Sequence, residues 1–311
     1  MTDIRPRALQ PPLWLRLTSN GFLVVWLVIA LFPLMWITLM SLRQPIDALS
    51  ANPLDVIFGK LTFDHYKAVW VTNGFWRNFL NSLIVTAGVV SVSLTVGTLA
   101  GYALARTPGA LAFWLLILAL IFRALPHSVL VTGYVPMFLN SRELLQPLWD
   151  APILGGVLSW FSASAPTLYG KPWAVIAVLV AINQPFTIWM MRSFFQNIPA
   201  ELDEAALVDG CTHFGAFWRV IMPVMWPGVI TTGLFSFLLA YNDYLVTALL
   251  LDAQSQTMVP GISQFLNRET RAADQIEAIA AAVSITAPLF VLVMVFQKQI
   301  VSGLTAGAVK G

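Results

Sequence analysis

The spacing of its charges constrains this chain more than anything else in the sequence. Residues 17–42, 78–105, 172–191, 220–242 and 278–297 contain no Asp, Glu, Lys or Arg, and residues 111–139 contain one charge, Arg123. A helix rises about 1.5 Å per residue, so about 20 apolar residues cross a hydrocarbon core roughly 30 Å thick. Six stretches meet that length. The backbone of a lipid-exposed segment must satisfy its own hydrogen bonds, and a helix does so within one segment. The expected fold class is therefore an all-α polytopic membrane protein with six transmembrane helices. Composition agrees: of 311 residues, 58% are hydrophobic and 10% charged, against about 25% charged in soluble domains.

Several function classes drop out. A net charge of +2 with no dense basic run gives no footprint for nucleic acid. The single cysteine, Cys211, can form no intramolecular disulfide, and no metal-ligand cluster surrounds it. Arg5, Arg7 and Arg16 precede the first apolar run as in a signal peptide, but the run is too long for one, so residues 20–42 read as an uncleaved first span after a terminal segment at 1–19. Residues 151–170 are also uncharged, yet they hold two Pro and three Gly. They read as an interfacial or re-entrant element anchored by Trp149, Trp160, Tyr169 and Trp173 rather than a seventh span. Lys and Arg divide equally between the two sides, but the segments on the side of the termini are shorter. Their higher basic density weakly favours both termini in the cytoplasm, and charge bias alone does not settle the orientation. No stretch outside the spans is long enough to fold alone as a domain.

The stretch between the fourth and fifth spans is different in kind. Pro199 opens a short helix with Glu201, Asp203 and Glu204 in its first turn, where carboxylates favour the positive helix end. Ala205 and Ala206 continue it, and Gly210 stands where a helix ends and the chain must turn. A second short helix is expected over about 214–222, ended by Pro223. Such a helix–turn–helix, with small side chains on one side and Phe214, Phe217 and Trp218 on the other, suits docking into a groove on another protein.

The spacing of Glu204-Ala205-Ala206, Asp209-Gly210 and Val220-Ile221-Met222-Pro223 resembles the EAA loop of ABC importer permeases, with Val220 and Met222 as conservative departures. Asn81-Ser82-Leu83 and Gly101 through Arg106 are similar to the second span and its exit in maltose-type sugar permeases. So is Tyr241-Asn242-Asp243-Tyr244 in the fifth span, and residues 303–311 are similar to the tail of the second permease subunit of that group. The resemblance implies a type I importer permease with spans near 78–105, 111–139, 172–195, 224–251 and 276–297 after the first. It implies a cytoplasmic coupling loop at 198–223 that enters a cleft of the ATPase through Glu204, Ala205, Ala206, Asp209, Gly210 and Pro223. An external loop at 252–275 would reach the binding protein, and a cytoplasmic tail would occupy 301–311. Residues 143–171 read as an external insertion outside the resemblance.

The implied assembly has a second permease subunit, two ATPase subunits and an external solute-binding protein, in a bacterial inner membrane. This chain carries no Gly-x-x-x-x-Gly-Lys-Ser/Thr phosphate loop; Gly59-Lys60 and Gly170-Lys171 lack its first glycine and its hydroxyl residue. ATP and Mg²⁺ therefore belong to the ATPase, and no catalytic residue, metal site or cofactor is expected here. Polar groups within spans are candidates for the solute path: Arg123, His127, Asn183, Gln184, Asn242 and Asp243. The expected function is half of the translocation pathway for a sugar or sugar-like solute. A secondary transporter is the alternative, but its embedded coupling sites would leave the docking loop unexplained. The three histidines, His65, His127 and His213, lie in separate regions and offer no enzyme site.

Overall fold

The structure, a computed structural model, describes the backbone of residues 12–107, 109–124, 127–266 and 272–306, and their side chains apart from 111–112, 127–129 and 301–306. The regular structure of the described residues is helical, apart from an isolated bridge between Arg43 and Leu61. The principal helices are α1 (Leu13–Ser41), α2 (Trp76–Arg106), α3 (Ala110–Ala124), α4 (His127–Leu139), α5 (Pro172–Gln196), α6 (Glu201–Val208), α7 (Met222–Tyr241), α8 (Leu245–Leu250), α9 (Met258–Leu266) and α10 (Ala272–Ala306).

Five described helical stretches are long and apolar enough to cross a membrane: Leu13–Ser41, Trp76–Arg106, Pro172–Gln196, His213–Tyr241 and Ala272–Ile300. The span expected over 111–139 is built from two shorter helices, α3 and α4, with residues 125–126 outside the description. Residues 151–170 contain one short helix, Leu154–Leu158, so they form no seventh span. Trp160 and Phe161 there are 90% and 84% exposed.

Two compact units divide the chain: Met1–Asn73 with Phe265–Ser284, and Gly74–Gln264 with Ile285–Gly311. In the first, α1 exposes apolar side chains along its length, as suits contact with lipid. Beyond it, Arg43 folds inward instead of lying on a solvated loop. Its Nε donates to Val56 O at 2.7 Å, and its Nη atoms donate to Gly59 O at 2.6 Å and Ile57 O at 2.5 Å. These carbonyls close the short helix Pro53–Phe58. A helix end leaves its last carbonyls unbonded, and a guanidinium placed there satisfies several at once.

In the second unit, α2, α5 and α7 form the packed centre. Small residues let their backbones approach. A Cβ at Gly97 would collide with the Thr187 side chain, and one at Gly101 would lie 2.7 Å from Met191 Cβ and 2.9 Å from Arg192 N. Without a hydrophobic drive between helices in lipid, such close packing supplies much of the association. Polar groups add links: Asn183 Nδ2 donates to Ser236 Oγ at 2.8 Å between α5 and α7. From Ile285 onward α10 is tied by Tyr241, whose hydroxyl donates to Ile285 O at 3.1 Å, and by Thr231, whose hydroxyl donates to Gln299 O at 3.1 Å. Asn78 and Asn81 donate to the carbonyls of Gln254, Gln256 and Thr257, and Ser82 Oγ accepts from Met258 N at 2.9 Å. The early polar residues of α2 thus fasten the loop before α9.

Two helix boundaries differ from the sequence expectation. The span expected at 224–251 stops at Tyr241 and resumes as α8 after Asn242, Asp243 and Tyr244, with Asp243 Oδ1 accepting from Thr247 N at 3.0 Å. A short acceptor at a helix start favours that restart. Pro223 does not end the second helix of the loop. His213–Ala216 runs through a π-helical turn, Phe217–Ile221, into α7, where Pro223 occupies an early position. The missing N–H of Pro costs little in a first turn, and the wider turn shifts the register just ahead of it: Met222 N–H bonds Phe217 O.

Candidate coupling site

The loop after α5 folds into a closed helix–turn–helix. In α6 the first turn carries Glu201, Asp203 and Glu204. The helix ends at Gly210, with φ at +86° and no atom within 4 Å of a Cβ placed there. Cys211 N donates to Ala206 O and Gly210 N donates to Leu207 O, both at 3.0 Å. This pair of bonds is the Schellman closure, which requires a left-handed residue at the glycine position. Thr212 then caps the next helix, its Oγ1 accepting from Gly215 N at 3.1 Å. Each turn of the reversal is therefore specified by a local residue, and Gly210 is needed for conformation rather than for space.

The two faces of the motif separate the alanines. Ala206, Ala216 and Phe217 point inward and are buried, whereas Glu204, Ala205, Asp209 and Gly210 are exposed. Val208 is 87% exposed, and Phe214 and Trp218 also stand in the open. A cleft of about 520 Å³ runs beside the turn, lined by Asp209, Gly210, Thr212, Phe214, Trp218 and Arg219 among others. An acidic helix start, a flat alanine step and exposed aromatic side chains make a surface with charge, shape and apolar contact together.

The inner face is clamped to the spans. Tyr102 OH donates to Asp203 Oδ1 at 2.5 Å, and Arg106 Nε donates to Asp203 Oδ2 at 2.8 Å. Arg106 Nη2 also lies 2.8 Å from Oδ2, and its Nη1 donates to the carbonyls of Phe195 and Ile198 at 3.3 and 3.2 Å. Below this, the Tyr102 ring lies 4.8 Å from Phe217 and 5.4 Å from Phe195, within an apolar cluster that includes Met191, Ile198, Ile221 and Met225. The end of α2 therefore gathers the others: Tyr102 and Arg106 hold Asp203 of the loop, and the same two side chains contact the end of α5 and, through Phe217, the π-helical start of the α7 stretch. Sequence reasoning missed Tyr102, Arg106 and Asp203 as a unit. The signal was present in part: Tyr102 and Arg106 are four apart, so they share one helix face.

The expected path residues separate in the same way. Asn183 is fully buried against Ser236, and Gln184 Nε2 donates to Ser93 O at 3.4 Å. Asn242 bonds its own helix through Leu238 O, and Asp243 Oδ1 accepts from Thr247 N in the first turn of α8. The side chain of His127 lies outside the description. Arg123 lines a cavity between α3, α4 and α5. Among the described residues, no group of three or more His, Cys, Asp or Glu is placed to hold a metal.

Comparison with known proteins adds independent findings. Residues 93–305 match the family described as binding-protein-dependent transport system inner membrane component. The chain is 32% identical over 299 residues to the diacetylchitobiose uptake system permease protein DasC of Streptomyces coelicolor, covering 95% of this chain and 98% of that one. It is 31% identical over 288 residues to the sulfoquinovosyl glycerol transport system permease protein SmoH of Agrobacterium fabrum, covering 92% and 91%. In fold it resembles a chain from the crystal structure of a bacterial ABC transporter that imports the acidic polysaccharide alginate. The TM-score is 0.69 at 20% identity, over 96% of this chain and 99% of that one.

Proposed function

The chain belongs to the family of binding-protein-dependent transport system inner membrane components, and on that premise we propose that it conducts a sugar or sugar-like solute and is driven by a separate ATPase that docks on residues 201–219. It is a transport component rather than an enzyme. The observation that carries the docking reading is the clamp at Asp203. A surface loop that only linked two spans would gain nothing from fastening to the ends of both and to the next helix; a loop that must pass force to them does.

In this reading Glu204, Ala205, Asp209 and Gly210 face the ATPase, Ala206 seats the helix from within, and Pro223 marks where the motif passes into α7. ATP and Mg²⁺ are held by the ATPase, two copies of which serve this chain and a second permease subunit. Relatives named for diacetylchitobiose uptake and for sulfoquinovosyl glycerol transport support a sugar-type solute and leave neutral and acidic members both in range. The external partner is a solute-binding protein, met by residues 252–275. Both termini and the loop at 201–219 face the cytoplasm.

The test is a cross-link. With Cys211 replaced by Ser, Ala205→Cys should form a disulfide with a cysteine placed at the docking cleft of the genetically linked ATPase, and ATP binding should change its yield. Uptake should cease when that ATPase is deleted. Continued uptake without it would favour the secondary-transporter reading instead.

A further inference from the structure

Among the described residues, no carboxylate pairs with Arg123. It is the ionic residue of α3, and its guanidinium carbon lies 4.5 Å from the centroid of the Phe186 ring. Its Nη1 is buried and has no hydrogen-bond partner. Asp203 is already paired with Arg106. A guanidinium stays protonated in proteins, so Arg123 cannot escape the cost of burial by neutralising. The aromatic face compensates part of that cost. It leaves the in-plane N–H donors, which form the fork that matches an oxyanion.

The side chain opens on a cavity of about 190 Å³, lined also by Phe122, Leu130, Tyr134, Ile182 and Pro185. Pockets that enclose a whole drug-sized ligand run from about 300 to 1,000 Å³, so this one fits a single substituent of a larger solute. Tyr134 lines the same wall. Ala181, Ile182 and Pro185 lie at the middle of α5, far from either end, where lipid headgroups would sit. We propose that this cavity is an anion subsite on the solute route, taking the carboxylate or sulfonate of an acidic sugar. The proposal rests on the reading of this chain as a sugar-conducting permease and narrows its solute class. A neutral hydroxyl would leave the charge unmatched, whereas an anionic group satisfies the fork and neutralises it.

The experiment uses the assembled transporter in phosphatidylcholine nanodiscs, with glucuronate and glucose as probes followed by saturation-transfer NMR. The expected result is glucuronate binding at least about tenfold tighter than glucose, with the gap closing as salt rises. Arg123→Gln should abolish the gap, and Arg123→Lys, a point charge without the fork, should keep part of it. Equal binding of the two sugars, or a gap that survives Arg123→Gln, overturns the proposal. A site already filled by a carboxylate of the second permease subunit gives no glucuronate preference and overturns it also. A preference lost only when phosphatidylglycerol is added assigns the site to a lipid phosphate, with the same consequence.

A second variant guards against misfolding. If Arg123 lacks an ion-pair partner in the empty transporter, Arg123→Met should unfold at a temperature no lower than wild type. A drop of several degrees would reveal a partner and sink the idea. Neither outcome touches the coupling motif, which is read separately by ATP hydrolysis.

Discussion

Asp203 is the residue on which the account depends most, and sequence alone gave it no special rank among three neighbouring acids. Its partners Tyr102 and Arg106 lie about a hundred positions earlier, and no local rule connects them. Gly210 was legible because its requirement is local: the chain reverses after a helix, and a positive φ favours glycine. Arg43 was illegible for the opposite reason, since it caps a helix that follows it in a segment without periodicity. The Asp203 carboxylate and the Arg106 guanidinium are 15% and 18% exposed, so solvent screens them weakly. Hydrogen bonds to charged groups are worth roughly 1.5–3 kcal/mol. Asp203→Ala and Arg106→Ala should each loosen the loop by about that amount, seen as faster proteolysis near Val208 and a lower thermal midpoint. The double variant should cost less than the sum, because each single change already breaks the shared contact. Costs that add within roughly 0.5 kcal/mol would show that the two side chains act independently.

At the scale of elements, the spans were readable because lipid leaves few options: a charge-free run of sufficient length is a helix. Five of the six appear as long described helices, and the run with a charge in it, 111–139, is described as α3 and α4 on either side of residues 125–126, which lie outside the description. Pro223 was misread because a proline usually marks a boundary; here the π-helical turn before it lets the helix continue. The break at Asn242–Tyr244 includes two residues expected on the solute path, and one of them, Asp243, accepts from Thr247 N in the first turn of α8. The same burial pattern decides how the proposed orientation should be tested. Ala216 sits inward at 1% exposure, so a probe there would be protected on either side of the membrane. Val208 is the better reporter for the coupling loop, with Ala163 and Gln254 for the other side, all three exposed. In a Cys211→Ser background, cysteines at Ala163 and Gln254 should react with a membrane-impermeant maleimide in intact cells, and Val208→Cys only after lysis. Labelling of Val208→Cys in intact cells would invert the orientation. The expected cytoplasmic tail, 301–311, lies partly outside the description, at residues 307–311.

At the scale of the whole molecule, three spans deliver their ends to one small motif, and the family match over residues 93–305 covers that assembly of helices. The centre of the second unit is packed tightly enough at Gly97 and Gly101 that a shift at the loop must be carried by helices and cannot be absorbed between them. The central claim is that this motif passes the work of an ATPase to the spans. Its most direct test is ATP hydrolysis by the reconstituted transporter, with and without loaded binding protein, when Gly210 is replaced. A non-glycine residue in the left-handed region costs roughly 1–2 kcal/mol, and asparagine tolerates it better than a β-branched side chain. Space within this chain is open at Gly210, so strain and the docking partner alone decide the effect. The account predicts that Gly210→Val inserts normally but loses stimulation by the binding protein and most uptake, while Gly210→Asn keeps a substantial part of both. Wild-type stimulation and uptake in Gly210→Val would contradict it.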